Sequence, residues 1–68
     1  MSKIRLTLSD PIQAQEQTIE ILFKFKEATN KEKLQIKSAL EKATRQAQAL
    51  NQTFIAARYR QTLGRMEQ

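Results

Sequence analysis

Apolar and polar side chains alternate strictly near the start of the chain. The apolar members are Ile4, Leu6 and Leu8, and the polar members are Lys3, Arg5 and Thr7. A period of two is typical of a half-buried β-strand, and the Ser-Asp-Pro sequence that follows ends it. We predict a short strand over residues 3–8. Because an isolated strand leaves its backbone N–H and C=O groups unpaired, we expect its partner strand to come from another chain.

A first helix is predicted over residues 11–28, with Pro11 in its first turn and Ser9 or Asp10 as its N-cap. Residues 19–25 also alternate with a period of two, so a second strand that pairs with the first is the alternative for this segment. A helical projection separates a polar arc from an apolar arc close to half the circumference, which favours the helix. An apolar arc this wide needs covering from more than one direction.

A second helix is predicted to begin at the sequence ATNKEK, where Thr29 and Glu32 have the spacing of a capping box. No glycine or proline follows before Gly64, so we predict one long helix over residues 31–63, antiparallel to the first. Its apolar positions alternate in spacings of four and three, which is typical of a coiled-coil seam. They are Ile36, Leu40, Ala43, Ala47, Leu50, Phe54 and Ala57.

The seam becomes less regular after Asn51, because Ile55, Tyr59 and Leu63 form a second stripe on another side of the helix. Two alternatives follow: the helix bends near residue 51, or it contacts two different bodies. The predicted fold class is therefore mainly α. We expect a single small domain, with a short N-terminal strand before an antiparallel helical hairpin that has a long second helix, and we expect it to be dimeric.

The composition limits the kinds of function that the chain can have. It has 68 residues, no cysteine, no histidine and one glycine. These counts argue against a disulfide framework, a thiolate or imidazole metal site, the usual general bases and a glycine-rich phosphate loop. We therefore expect no enzyme activity, no cofactor, no metal and no small-molecule substrate. The sequence has neither a signal peptide nor an apolar run that would span a membrane, so we expect a cytoplasmic protein.

The predicted strand and seam supply the candidate partner-binding residues. These are Ile4, Leu6, Leu8, Ile36, Leu40, Leu50 and Phe54. A core from so short a chain gives little stability, so association with another chain is expected. The net charge of +5 favours an acidic protein or a nucleic acid as partner. We predict a non-catalytic interaction, adaptor or regulatory module that self-associates through its helices and its strand.

Two parts of the chain supply candidate nucleic-acid contacts. The first is the polar face of the predicted strand, with Lys3, Arg5 and Thr7, and the second is the C-terminal part, with Arg58 and Arg60. The order of strand, helix and helix over residues 3–42 resembles the ribbon–helix–helix DNA-binding proteins. This resemblance implies that strands of two chains pair and that Lys3, Arg5 and Thr7 read the DNA groove. The turn departs from the family, with TNKE in place of a glycine followed by a capping serine or threonine. A dimeric DNA-binding transcriptional regulator is therefore the alternative function.

Overall fold

Three helices pack together in the computed structural model, which describes residues 5–66. They are α1 at Pro11–Glu27, α2 at Asn30–Ala49 and α3 at Thr53–Met66. The prediction of a mainly α fold is confirmed for this part of the chain. The finer prediction, of a strand followed by a two-helix hairpin, is wrong in two respects: residues 5–8 form no strand, and two helices stand in place of the long second one.

Helix α1 begins and continues as predicted. The carboxylate of Asp10 accepts hydrogen bonds from the backbone N–H groups of Ile12 and Gln13, at 3.0 and 3.3 Å, and Pro11 occupies the first helical position. The disputed residues 19–25 lie inside α1, so the helical alternative is confirmed. Their period of two arises because α1 has apolar residues on two different faces.

A capping box starts α2, as predicted. The backbone N–H of Glu32 donates to the hydroxyl of Thr29 at 3.2 Å, and the backbone N–H of Thr29 donates to the carboxylate of Glu32 at 3.0 Å. The hydrogen bond from the Thr29 backbone favours the ionised carboxylate and lowers the pKa of Glu32. With both ends of the connection fixed, only residues 28 and 29 separate α1 from α2.

The prediction of one long helix over residues 31–63 is wrong, because the chain breaks between α2 and α3. Asn51 has a φ of 60°, in the left-handed region. Its N–H donates to the carbonyl of Gln48 at 3.1 Å, and the N–H of Gln52 donates to the carbonyl of Ala47 at 2.8 Å. These two bonds form a Schellman motif, which satisfies the last carbonyl groups of α2 and ends it. The bend expected near residue 51 is thus a complete helix end.

Because of the break, α3 packs against both other helices, and the three helices share one core. The fully or nearly buried apolar residues are Ala14, Ile21, Ile36, Leu40, Ala43, Ala47, Ile55, Ala56, Tyr59 and Met66. The second stripe predicted at Ile55 and Tyr59 therefore packs inside the chain itself. Helix α3 also covers α1 from a second direction. The width of the apolar arc of α1 therefore does not by itself imply that a second chain covers it.

The predicted N-terminal strand is not found among the described residues of that segment, Arg5 to Leu8. Lys3 and Ile4 lie outside the described residues. The N–H of Thr7 donates to the side-chain oxygen of Gln17 at 2.8 Å, and its carbonyl accepts from the Tyr59 hydroxyl at 2.5 Å. Side chains of α1 and α3 thus bond the backbone groups that we expected a partner strand to bond.

The apolar side of this segment still faces the protein. Leu6 and Leu8 are half-buried and pack against the core of the helices. The alternation at the N-terminus therefore correctly indicated which side chains are covered, although the cover consists of helices. Residues 5–10 form an extended segment laid across the bundle.

We expect the left-handed conformation of Asn51 to make the protein more stable with glycine than with alanine at this position. Glycine adopts a positive φ at no steric cost, whereas alanine pays roughly 1–2 kcal/mol for it. Asn51→Ala should therefore lower the free energy of unfolding by about 1 kcal/mol relative to Asn51→Gly, measured by urea denaturation. Equal stability of the two variants would contradict the helix end at residue 51.

Candidate interaction surface

The face of α1 that points away from the core carries large apolar side chains. Ile12, Ile19 and Phe23 are 73, 47 and 67% exposed. Spacings of seven and four residues return to nearly the same side of a helix, so the three side chains form one line. Ala14, Thr18 and Ile21 in contrast are buried, so the exposed line is not part of the core.

Two charged residues complete this line, which we call the outer stripe and define as Ile12, Glu16, Ile19, Phe23 and Lys26. Both charged side chains are exposed. The ammonium group of Lys26 lies 5.9 Å from the centre of the Phe23 ring, within the range of a cation–π contact. The stripe therefore has an acidic residue toward its N-terminal end, a basic residue at its C-terminal end and apolar residues between them.

A groove between α1 and α3 borders the outer stripe. Its volume is about 70 Å³, and Ile19 and Leu22 of α1 line one side. Arg58, Gln61 and Arg65 of α3 are among the residues that line the groove from the other side. Because Ile19 belongs both to the groove and to the outer stripe, two arginines lie close to the edge of an exposed apolar surface.

The residues predicted to bind a partner are divided between the core and the surface. Ile36 and Leu40 are buried inside the bundle, and Leu6 and Leu8 pack against it, whereas Ile4 lies outside the described residues. Leu50 and Phe54 remain exposed on either side of the break after α2. Partner binding at Leu50 and Phe54 therefore stays a prediction that the fold permits.

The predicted nucleic-acid contacts do not form one cluster. Arg60 lies about 200° around α3 from Arg58, whereas Arg65 lies within about 20° of it. Arg5 is exposed beside the cleft between α1 and α2, and Thr7 uses both of its backbone groups inside the protein. Since residues 5–8 form no strand, the resemblance to ribbon–helix–helix proteins loses the element on which it was based.

A larger cleft of about 360 Å³ lies between α1 and α2, with buried Ile21 and Ile36 among its lining residues. Charged residues of both signs surround it: Arg5, Glu20, Lys24, Glu27 and Glu32. The carboxylate of Glu32 already accepts the capping hydrogen bond from Thr29. The mixture of charges favours neither an anion nor a cation as ligand.

Sequence reasoning missed the outer stripe, although a signal for it was present. Starting at Ile12, successive stripe residues are four, three, four and three positions apart. The predicted seam of the second helix has the same alternation of spacings. A projection that divides α1 into only one polar and one apolar arc places Ile19 and Phe23 with the core residues. Only the packing of α2 and α3 separates the two apolar faces.

Two kinds of site are absent from residues 5–66. No group of three or more acidic side chains in this part of the chain is arranged to hold a metal ion, and none of its helices has the length and hydropathy of a membrane-spanning segment. Comparisons of the chain with models of known families, with curated proteins and with solved structures find no match.

Proposed function

We propose that this chain is a non-catalytic interaction module that self-associates through the outer stripe of α1. The observation that carries the proposal is the exposure of Ile12, Ile19 and Phe23 in one line, on the side of α1 that does not face the core. Leaving apolar surface in water costs about 25 cal/mol per Å² relative to burying it. Several large apolar side chains exposed on one helix face mark a candidate protein interface.

A second copy of the chain is the partner that we propose. It presents the same apolar stripe, so each copy covers the Ile19 and Phe23 side chains that the other exposes, as in the isologous interface of a two-fold dimer. Association also adds stability to a domain near the lower size limit for independent folding. The arginines beside the groove stay at the edge of this interface, where their charges remain in contact with water.

Sedimentation equilibrium tests the proposal with three substitutions of side chains that are each 60% or more exposed. We expect the unmodified chain to dimerise as its concentration rises from about 1 µM to about 1 mM. Phe23→Ser should weaken dimerisation at least about tenfold, because large aromatic residues carry much of the binding energy of an interface. Leu34→Ser on α2 is the control, since Leu34 is 68% exposed and Phe23 is 67% exposed.

The third substitution, Phe54→Ser, tests the surface that the sequence predicted, because Phe54 is 60% exposed at the start of α3. We expect it to leave dimerisation unchanged. A chain that stays monomeric over the whole concentration range would overturn the proposal. So would a dimer that Phe54→Ser dissociates and Phe23→Ser does not, since that result would place the interface at the α2–α3 break.

A further inference from the structure

We infer, on the basis of the self-association proposed above, that the two α1 helices pair antiparallel. In this arrangement Glu16 lies opposite Lys26 of the second copy, and Ile19 lies opposite Phe23 of the second copy. By two-fold symmetry each of these contacts occurs twice. The partner is thus a second copy of this chain in one defined register.

The spacing of the outer stripe supports this register. From Glu16 to Lys26 the stripe residues are three, four and three positions apart, so the pattern reads the same in both directions. Reversing one helix therefore places every stripe residue of this segment opposite another stripe residue. In coiled-coil terms the alternating spacing of three and four defines the seam along which two helices meet.

The charges of the stripe distinguish the two possible directions. A parallel pair would place Glu16 against Glu16 of the second copy, and Lys26 against Lys26 of the second copy. Both contacts would bring like charges together and would be repulsive. An antiparallel pair places opposite charges together at both ends of the seam. It also sets the two helix dipoles in opposite directions, which is the favourable arrangement for neighbouring helices.

The contact between Lys26 and Phe23 within one chain fits this arrangement. The Lys26 ammonium group already lies over the Phe23 ring at 5.9 Å, on the outward face of α1 and close to where Glu16 of the second copy would arrive. The apolar centre of the interface then consists of two Ile19 and Phe23 contacts. Ile12 falls beyond this centre, past the C-terminal end of α1 of the second copy, which is at Glu27.

Charge reversal tests the direction of pairing. Glu16→Lys and Lys26→Glu should each weaken dimerisation by about tenfold, because each replaces two attractive pairs by two repulsive ones. The double variant Glu16→Lys with Lys26→Glu should restore dimerisation. Glu20→Lys is the matched control for Glu16→Lys, since it changes the net charge by the same amount on the side of α1 that lines the α1–α2 cleft. A double variant that dimerises no better than the single variants would overturn the antiparallel register.

Disulfide trapping gives an independent measurement, because the chain has no cysteine of its own. Mixed under oxidising conditions, Glu16→Cys and Lys26→Cys chains should form the disulfide between unlike chains, identified by mass. Disulfides between like chains only would overturn the antiparallel direction while leaving self-association through the stripe intact. A chain that sediments as a monomer and forms neither disulfide would overturn both the inference and the proposed function.

Discussion

Replacing Leu40 with alanine is expected to unfold a large fraction of the protein. Leu40 is 0% exposed and is among the largest fully buried side chains of the bundle. Removing such a leucine costs roughly 2–5 kcal/mol, from lost burial and from the cavity left behind. At roughly 0.05–0.15 kcal/mol per residue, a domain of this size has a total stability of the same order. Helical circular dichroism at room temperature should therefore fall markedly.

Leu34→Ala provides the matched control for this prediction. Both leucines lie in α2, so the change in helix propensity is the same, but Leu34 is exposed to water. We expect Leu34→Ala to change the free energy of unfolding by no more than about 0.5 kcal/mol. Similar losses in both variants, compared by urea denaturation at one protein concentration, would show that Leu40 is not at the centre of the core.

Features that depend on neighbouring residues could be predicted from the sequence. The beginning of α1 follows from Asp10 and Pro11, and the beginning of α2 follows from Thr29 and Glu32. In each case the side chain that bonds the free backbone groups lies within three residues of them. Such hydrogen bonds join residues that are close together in the sequence, and therefore a linear sequence is sufficient to indicate them.

The end of α2 could not be predicted with the same certainty, because it depends on one backbone angle. Asparagine has a lower helix propensity than alanine or leucine, but it is tolerated inside helices. The presence of an asparagine at position 51 therefore does not by itself predict a helix end. The left-handed conformation is selected because it lets α3 fold back and bury Ile55 and Tyr59. The second apolar stripe was the signal for this break, but a continuous helix with two partners explained the stripe equally well.

In the N-terminal segment, hydrophobic periodicity indicated which side chains are covered but not which groups bond the backbone. Alternation indicated that Leu6 and Leu8 are covered, and they are half-buried. It did not indicate what bonds the backbone, because the hydroxyl that bonds Thr7 lies 52 residues away, on Tyr59. A contact over such a distance along the chain depends on how the helices pack. The outer stripe escaped prediction for the same reason, since packing alone decides which apolar face of α1 stays exposed.

The hydroxyl of Tyr59 is expected to ionise at a higher pH in the folded protein than in the unfolded chain. Burial raises the pKa of Tyr59 from its ordinary value of 10.0 to about 12. The neutral hydroxyl donates a hydrogen bond to the carbonyl oxygen of Thr7, whereas a phenolate could not donate and would face that oxygen with like charge. Between these two pH values the unfolded chain loses this proton and the folded chain keeps it. The tyrosine therefore contributes stability below pH 10 that is lost as the pH rises toward 12.

This prediction can be measured on the unmodified chain, because Tyr59 is its only tyrosine and it has no tryptophan. Near-ultraviolet absorbance should show tyrosinate forming at about pH 12 in the folded protein, and near the ordinary value in concentrated urea. Tyr59→Phe is the comparison for stability, because it removes the titrating hydroxyl and leaves every other side chain of the protein in place. The variant should be about 1 kcal/mol less stable at neutral pH, having lost one hydrogen bond, and this difference should shrink as the pH rises above 10. A folded-state titration at the ordinary tyrosine value would mean that Tyr59 is open to water, and that residues 5–10 are not held against α3.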